Sequence, residues 1–315
     1  MAASPPVVLT IAGFDPSSGA GITADIKTIA AHECYGVACI TALTVQSTRG
    51  VRRVVGVDPR IMAETLEELA SDITVDAVHI GMLGNERSVA VVADFLSAFA
   101  GGSGLPHVVL DPILKSSSGA DLLDAAGTQM LLERLLPLAE LVTPNMEEAS
   151  VLTGMAVTNL DQMHAAAARL HALGAANVVV TGGDLIRVVD DRTGTDKAST
   201  EKASTETAST EKAIDLLSFR TTRGTQQEVF KADRQRSRST HGTGCEFATA
   251  LACHLAHGRG LPEAVLLAKV YVAAAIANAY PVGGGVGPLH HLYRMGQQRR
   301  ASAVVSEAEH SHSRS

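Results

Sequence analysis

Short apolar runs of strand length alternate along the chain with longer stretches in which apolar residues recur at helical spacing. The predicted strands are Val7–Ala12, Val37–Val45, Ala77–Ile80, Val108–Leu110, Leu141–Thr143 and Asn177–Thr181. The predicted helices are Ala20–Ala31, Met62–Ala70, Val89–Ala98, Leu122–Leu132, Glu147–Leu152 and Ala165–Leu173. Because strands this apolar are buried on both faces, we predict an α/β fold with a mostly parallel central sheet and helices on both faces. Ligands should then bind at the carboxyl ends of the strands.

The alternation stops after Gly182-Gly183, and repeats of Ala-Ser-Thr-Glu fill the stretch from Ala198 to Lys212. Because such a segment cannot bury a core, we predict a disordered surface-loop insertion at about 191–213, with a short exposed helix as the alternative. The elements predicted after it are strands Leu216–Phe219 and Glu228–Phe230 and helices Phe247–Ala256 and Ala264–Ala279. We therefore predict a single domain over 1–295 and a flexible polar tail over 296–315.

Composition narrows the class of function. The hydrophobic content of 46% suffices for a large core, whereas a net charge of −7 and an aromatic content of 3% argue against a nucleic-acid-binding surface. The start of the chain lacks a basic signal-peptide region, and no apolar run reaches the roughly 18 residues of a membrane span. The 4 cysteines show no metal-type spacing. We expect a cytoplasmic protein with reduced thiols and no membrane partner.

The strongest local signal is the loop Ser239-Thr-His-Gly-Thr-Gly-Cys245, which opens into an apolar helix. Glycines expose backbone N–H groups, and together with the positive helix end they form an anion hole suited to a phosphoryl group in transfer. At this helix end the pKa of the Cys245 thiol should be lowered. The alternative is an ordinary glycine-rich helix start with a buried cysteine.

A second cluster lies between the first predicted strand and helix, from Gly13 to Asp25. Gly19-Ala-Gly21 fits the dinucleotide-binding pattern only loosely, and no Gly-Lys dipeptide of a P-loop occurs. Asp25 either points toward a ligand or is an ordinary solvated or capping residue. Gln46 and Met82 follow strand ends, where an amide and a thioether suit a flat heteroaromatic ring, although each residue is also common in loops and cores.

Acidic and amide side chains follow two further predicted strands. Asp111 ends one strand, and Asn145 and Glu148 come after the next. Their oxygen atoms suit Mg²⁺ bound partly through water and nucleotide phosphates. The alternative is a helix cap at Asn145 with acids in the first helical turn.

Taken in order, these segments resemble the hydroxymethylpyrimidine/phosphomethylpyrimidine kinases of the ribokinase superfamily over most of the chain. The matching segments are Thr10–Gly21, Ala24–Thr28, Ile40–Leu43 with Gln46 and Thr48–Gly50, Ile80–Leu83, Asp111-Pro112, Thr143–Asn145, Glu148-Ala149, Gly182-Gly183, Thr240–Cys245 and Gly287–His291. The resemblance implies a ribokinase-like fold and two successive ATP- and Mg²⁺-dependent phosphorylations, first of an aminopyrimidine alcohol and then of its monophosphate, in thiamine biosynthesis. It also implies a homodimer.

The resemblance further implies a role for each matching residue. The pyrimidine pocket would be lined by Gly13, Asp25, Gln46 and Met82, with Asp25 and Gln46 addressing the ring. The anion hole and catalytic group would be Gly242, Thr243, Gly244 and Cys245. For Cys245, positioning of the substrate is the favoured role, and acceptance of a proton is the second alternative. The metal would be organised by Asp111 and Glu148, and the nucleotide would face Asn145, Thr181, Gly182, Gly183 and Lys269.

Ser117, Thr181 and Gly284 depart from the residues frequent in the family, which bears on nucleotide affinity. Pyridoxal or pyridoxine kinase activity is the closest alternative, because relatives with the same Gly-Thr-Gly-Cys loop accept a hydroxymethyl pyridine. A catalytically silent binding or regulatory protein of the same fold is the second alternative. A dinucleotide-dependent oxidoreductase is the third.

Overall fold

A computed structural model describes residues 4–100, 106–116, 119–183, 212–233, 237 and 239–295. Most of the predicted insertion, the predicted tail and Ser117 lie outside these residues. The strands are β1 (Val7–Phe14), β2 (Tyr35–Ser47), β3 (Gly50–Gly56), β4 (Ala77–Ile80), β5 (His107–Leu110), β6 (Leu141–Val142), β7 (Val178–Gly182), β8 (Lys212–Thr221) and β9 (Gly224–Asp233). The helices are α1 (Gly21–Ala31), α2 (Pro59–Asp72), α3 (Glu86–Ala100), α4 (Ala125–Met130), α5 (Met146–Thr153), α6 (Leu160–Ala172), α7 (Thr243–Ala256) and α8 (Leu261–Ala277).

Within the described part of the chain, the strands form one nine-stranded sheet in the order β3-β2-β1-β4-β5-β6-β7-β8-β9. The strands from β2 to β7 in this order pair in parallel, and β3, β8 and β9 pair antiparallel at the two edges. The predicted α/β class with a mostly parallel sheet is confirmed.

Alternate residues of the central strands enter two different hydrophobic clusters. Val108 and Leu110 face the cluster that contains residues of α2, α3, α5 and α6, whereas Val109 between them faces the cluster of α1, α7 and α8. Because successive side chains of a strand point to opposite faces, the sheet is covered by helices on both sides, as predicted.

Side-chain caps fix where several helices begin. Asp58 accepts a hydrogen bond from Arg60 N ahead of Pro59 at the start of α2, and Asn159 accepts one from Gln162 N at the start of α6. The predicted helix Leu122–Leu132 was wrong at its start, because Asp124 caps α4 and places Leu122 before the helix. After α4 the chain continues as a π turn and then a 3₁₀ turn that contains Pro137.

The carboxyl ends of the parallel strands lie along one side of the sheet. The loops that matter for function follow these ends and therefore lie together on that side. The loop after β1 leads into α1, the hairpin turn between β2 and β3 lies next to it, and the loops after β4, β5, β6 and β7 follow across the sheet. Helix α7 packs against α1 and against the central strands β4 and β5, so its first turn reaches the same side.

Candidate active site

The segment predicted to form an anion hole lies at the first turn of α7. The helix begins at Thr243, not at the predicted Phe247, and Gly242 precedes it with a left-handed φ of 88°. A methyl group at Gly242 would overlap the carbonyl oxygen of Gly19, so this glycine allows two loops to meet backbone to backbone. The amides of Gly244 and Cys245 lie in the first helical turn, where they have no acceptor within the helix. Their donors and the helix dipole make this end of α7 attractive to an anion.

The loop after β1 is held in shape by Asp15, which sequence reasoning did not single out. Its carboxylate is 3% exposed and accepts hydrogen bonds from the backbone N–H groups of Ser17 (2.8 Å), Gly19 (3.2 Å) and Ala20 (3.1 Å). Nε2 of His241 lies 3.0 Å from the same carboxylate. Burial would raise the pKa of Asp15, but the hydrogen bonds from His241 and Ser17 hold it below its usual value. An ionised Asp15 therefore joins the loop to the anion-hole segment.

Gly13 and Met82 lie against each other, as the predicted pocket requires. A methyl group at Gly13 would lie 3.0 Å from Sδ of Met82, so a side chain at Gly13 would crowd the thioether. The hydroxyl of Thr41 donates to the backbone oxygen of Met82 at 2.6 Å and fixes the loop after β4 against β2. The two residues thus form one apolar wall at the strand ends.

Gln46 lies half-buried near the end of β2 and faces the anion-hole loop. Its Oε1 accepts from the hydroxyl of Thr44 at 3.1 Å, and its amide nitrogen lies 3.2 Å from Nε2 of His241. The His241 ring also packs against Gly19, where an added methyl group would overlap the ring. The sequence analysis assigned a role to Gln46 but not to His241, whose ring joins the end of β2 to the loop after β1.

Asp25 lies in the protein interior, below the carboxyl ends of the strands, and not in the pocket lining. Its side chain is 0% exposed, because α1 begins at Gly21 and places it one turn inward against β1 and α7. Oδ2 accepts from the hydroxyl of Thr10 at 2.7 Å, and Oδ1 accepts from that of Thr249 at 2.8 Å. Both oxygens are therefore used inside the protein. This corrects the prediction that Asp25 itself contacts the pyrimidine ring.

His79 completes the buried network around Asp25. Its Nδ1 lies 3.5 Å from the Asp25 carboxylate and 3.3 Å from each of the Thr10 and Thr249 hydroxyls, whose protons are directed elsewhere, so Nδ1 carries a proton. Burial would lower the pKa of His79, but the charge and hydrogen bond of Asp25, with the more distant Asp111 and Glu246, raise it above its usual value. The raised pKa favours the charged form of His79 beside the buried Asp25 carboxylate.

Asp111 and Glu148 form an acidic pair beside Cys245. Asp111 is 4% exposed, accepts from the hydroxyl of Thr143 at 3.3 Å and lies close enough to Cys245 for its charge to raise the pKa of that thiol. Burial raises the pKa of Asp111 to about 6, and burial together with the charge of Asp111 raises that of Glu148 to about 8. Glu148 also forms a capping box with Asn145, with reciprocal hydrogen bonds of 2.9 Å. Asn145 is a helix cap, as the alternative interpretation had it.

The predicted nucleotide side gathers at the end of β7. The backbone of Thr181 forms a parallel β-bridge with that of Asn145. Gly182 donates its N–H to Oδ1 of Asp215 at 3.1 Å. Lys269 binds the other oxygen of Asp215, and both side chains are buried. Lys269 was predicted to face the nucleotide side; in the structure it binds Asp215, a residue that the sequence analysis did not identify and that accepts from Gly182. An added methyl group at Gly183 would meet no atom within 4 Å, which leaves its backbone accessible.

The family model described as phosphomethylpyrimidine kinase matches residues 15–290. The chain belongs to this kinase family. It is 36% identical to the hydroxymethylpyrimidine/phosphomethylpyrimidine kinase of Streptomyces coelicolor, over 93% of this chain and 97% of that one. It is also 40% identical to the thiamine biosynthesis bifunctional protein ThiED of Geobacter sulfurreducens, over 90% of this chain, but it spans only 52% of that longer protein.

Solved structures agree with the family's fold. The kinase superimposes on the pyridoxal kinase of Bacillus subtilis, solved as an ADP complex, with a TM-score of 0.76 and 32% identity over 93% of this chain and all of that one. The predicted ribokinase-like architecture is therefore confirmed. Among the described residues, no helix of this kinase is long and apolar enough to cross a membrane.

The thiol of Cys245 departs from the prediction in its acidity. Although it lies at a helix N-terminus in this kinase, burial and the negative charges of Asp111, Asp25 and Glu246 raise its pKa well above the usual value. Burial, reinforced by the three carboxylates, outweighs the hydrogen bond from the N–H of Gly21. The raised pKa favours the protonated thiol and corrects the expectation of a lowered pKa.

Proposed function

We propose that this protein transfers a phosphoryl group from ATP to the hydroxymethyl group of 4-amino-5-hydroxymethyl-2-methylpyrimidine, and then a second one to the monophosphate, in thiamine biosynthesis. The observation that carries the proposal is the contact of the His241 ring with Gln46 and Gly19, which sets the predicted pyrimidine pocket beside the first turn of α7. A ring held against Gly13 and Met82 would have its alcohol next to amides suited to a transferring phosphoryl group. Family membership and the names of the relatives support the same substrates.

The acidic pair fits a magnesium ion. Asp111 and Glu148 are two buried carboxyl groups whose pKa values are raised by burial, and for Glu148 also by repulsion, which is the situation that a divalent cation relieves. The described residues hold no cluster of three or more side chains placed to bind a metal by themselves. The two carboxyl groups therefore suit an ion that has few carboxylate ligands and completes its coordination with phosphate and water. Bound there, Mg²⁺ would neutralise the nucleotide phosphates.

The nucleotide would bind near the end of β7. There, Gly182 is held by its hydrogen bond to Asp215, and the next residue, Gly183, has an accessible backbone. The ADP complex of the Bacillus subtilis relative supports a nucleotide site in this fold. Cys245 would position the alcohol, because a thiol with a raised pKa is a poor proton acceptor and phosphoryl transfer depends on alignment more than on a strong base.

Replacing Gln46 with Leu is expected to weaken pyrimidine binding about fivefold and to leave nucleotide binding largely unchanged. The loss of an uncharged hydrogen bond to the ring would cost about 1 kcal/mol. Isothermal titration with the pyrimidine and with ATP measures both affinities. The matched control is Gln129→Leu, which removes an exposed amide bonded only to Glu133. Unchanged pyrimidine affinity in the Gln46 variant would remove this residue from the pocket.

A Cys245→Ser change is expected to lower turnover by roughly ten- to a hundredfold, with a smaller effect on substrate affinity. Serine alters the size and donor geometry at the point where the alcohol is aligned, and misalignment alone can cost this much. Steady-state kinetics with each substrate separates kcat from KM. Cys39→Ser, the same change at a buried thiol that donates to Met62 O, is the control. Equal kcat values for Cys245→Ser and the wild type would exclude Cys245 from the mechanism.

Product analysis by mass spectrometry tests the function itself. The purified protein is incubated with Mg-ATP and, separately, with hydroxymethylpyrimidine, its monophosphate and pyridoxal. Phosphorylation of both pyrimidines is the expected result. Turnover of pyridoxal alone would favour the second candidate, which the similarity to the Bacillus subtilis pyridoxal kinase supports. Absence of product from every substrate would favour the alternative that the protein is a catalytically silent binding protein of this fold.

A further inference from the structure

The segment Gly283–His291, here called the strap, follows α8 and contains residues to which the proposed mechanism assigns no role. Its first half lies against the turn between β2 and β3. Val286 donates its N–H to the backbone oxygen of Thr48 at 2.9 Å, and Gly285 donates to the Thr48 hydroxyl at 3.2 Å. A methyl group at Gly285 would overlap the Thr48 carbonyl. The strap is thus fixed to the turn that begins two residues after Gln46.

The middle of the strap lies against the anion-hole loop. The N–H of His241 donates to the carbonyl of Gly287 at 3.2 Å, and His241 and Pro288 form a parallel bridge. A methyl group at Gly287 would lie 2.5 Å from the hydroxyl oxygen of Ser239, so the two chains are in close contact. One continuous segment therefore touches both sides of the proposed reaction site.

The end of the strap is anchored by a buried hydrogen bond between His291 and Glu246. Nε2 of His291 donates to Oε1 of Glu246 at 2.8 Å, and the other oxygen of Glu246 accepts from the hydroxyl of Thr28 on α1. Glu246 is 0% exposed and His291 is 4% exposed, and the Tyr271 hydroxyl donates to the backbone oxygen of His291 at 3.1 Å. Glu246 directly follows Cys245, so its carboxylate ties the strap and α1 to the first turn of α7.

We propose that Glu246 and His291 are positioning residues for phosphoryl transfer, which fix the strap so that the Gln46 turn and the anion-hole loop keep one mutual geometry. This inference rests on the proposed function, because it assigns the two loops to the acceptor and to the phosphoryl group. Neither residue has to touch the substrate. A buried carboxylate with two donors has a narrowly defined position, and each donor comes from a different element.

The test compares His291→Leu, His291→Gln and His290→Leu. His290 precedes it in sequence and makes an edge-to-face contact with Tyr280, whereas the contact with Glu246 is made by His291, so His290 is the matched control. We expect His291→Leu to lower kcat at least about tenfold, since small misalignments have effects of this size. His291→Gln keeps an N–H donor for Glu246 and should recover most of the loss, and His290→Leu should behave like the wild type.

A purely structural role is separated by the double variant Glu246→Gln with His291→Leu. The neutral amide no longer leaves a buried charge unpaired, so the thermal midpoint should return toward that of the wild type while kcat stays low. Recovery of kcat together with stability would overturn the positioning role. So would an unaltered kcat in His291→Leu.

Amide hydrogen exchange gives a readout that needs no substrate. In His291→Leu, exchange should become faster in both 47–50 and 240–245, whereas faster exchange confined to 287–295 would refute the coupling. Failure of the proposed function would instead be seen as absence of product from the unmodified protein, with the exchange result unaffected.

Discussion

Replacing Gly242 with Ala is expected to lower kcat/KM by roughly a hundredfold, the typical loss when an anion-stabilising donor is displaced. Gly242 has a φ of 88°, a left-handed conformation that is unfavourable for alanine. The added methyl group would also overlap the backbone oxygen of Gly19. Either the loop after β1 moves away or the first turn of α7 rotates, and both displace the Gly244 and Cys245 amides. Steady-state kinetics with ATP and the pyrimidine measures the loss.

The control for Gly242→Ala is Gly260→Ala at the start of α8. Gly260 has an ordinary φ of −70°, and an added methyl group would meet no atom within 4 Å. This variant should retain wild-type kinetics and stability. If Gly242→Ala also retained them, the close approach of the two loops would not be required for catalysis.

The sequence predicted the buried centre of the sheet better than its edges. Ala77–Ile80 was predicted with the bounds that the structure has, because a short run buried on both faces is apolar throughout. Strand β3 was missed, because most of Gly50–Gly56 is exposed and Arg52 and Arg53 interrupt its apolar residues. Its pairing with β2 depends on the hairpin turn, which leaves little trace in hydrophobic periodicity.

At the candidate site, the sequence analysis predicted the positions of the loops better than the side-chain contacts between residues far apart in the chain. Gln46, Met82 and Asp111 were selected because they follow predicted strands, and the parallel topology brings those strand ends together. Asp15 and His241 were missed because their contact joins residues 226 positions apart. The same limit applies to Lys269, whose partner Asp215 is 54 positions away. A lone charged residue in sequence does not reveal whether it faces a ligand or a buried counter-charge.

Replacing Asp25 with Asn is expected to destabilise the protein by about 3 kcal/mol, the lower range for breaking a buried ion pair. The carboxylate accepts from both Thr10 and Thr249 and is the nearest counter-charge of His79. An asparagine keeps the shape but presents one amide nitrogen to a hydroxyl proton and leaves His79 without its partner. Urea unfolding measures the change. Asp72→Asn, the same replacement at an exposed helix end, should stay within about 0.5 kcal/mol of the wild type.

The pH dependence of this loss identifies its cause. Since the folded pKa of His79 is raised above the usual histidine value of 6.5, its charged form contributes stability that is fully present below pH 6.5 and is lost as the pH rises through the folded pKa. The stability difference between wild type and Asp25→Asn should therefore be larger at about pH 6 than at about pH 9. Asp111 and Glu246 also face this group and remain in both proteins, so His79 loses its nearest carboxylate but keeps the more distant ones. A difference independent of pH would mean that the lost hydroxyl hydrogen bonds, and not the His79 charge, account for the destabilisation.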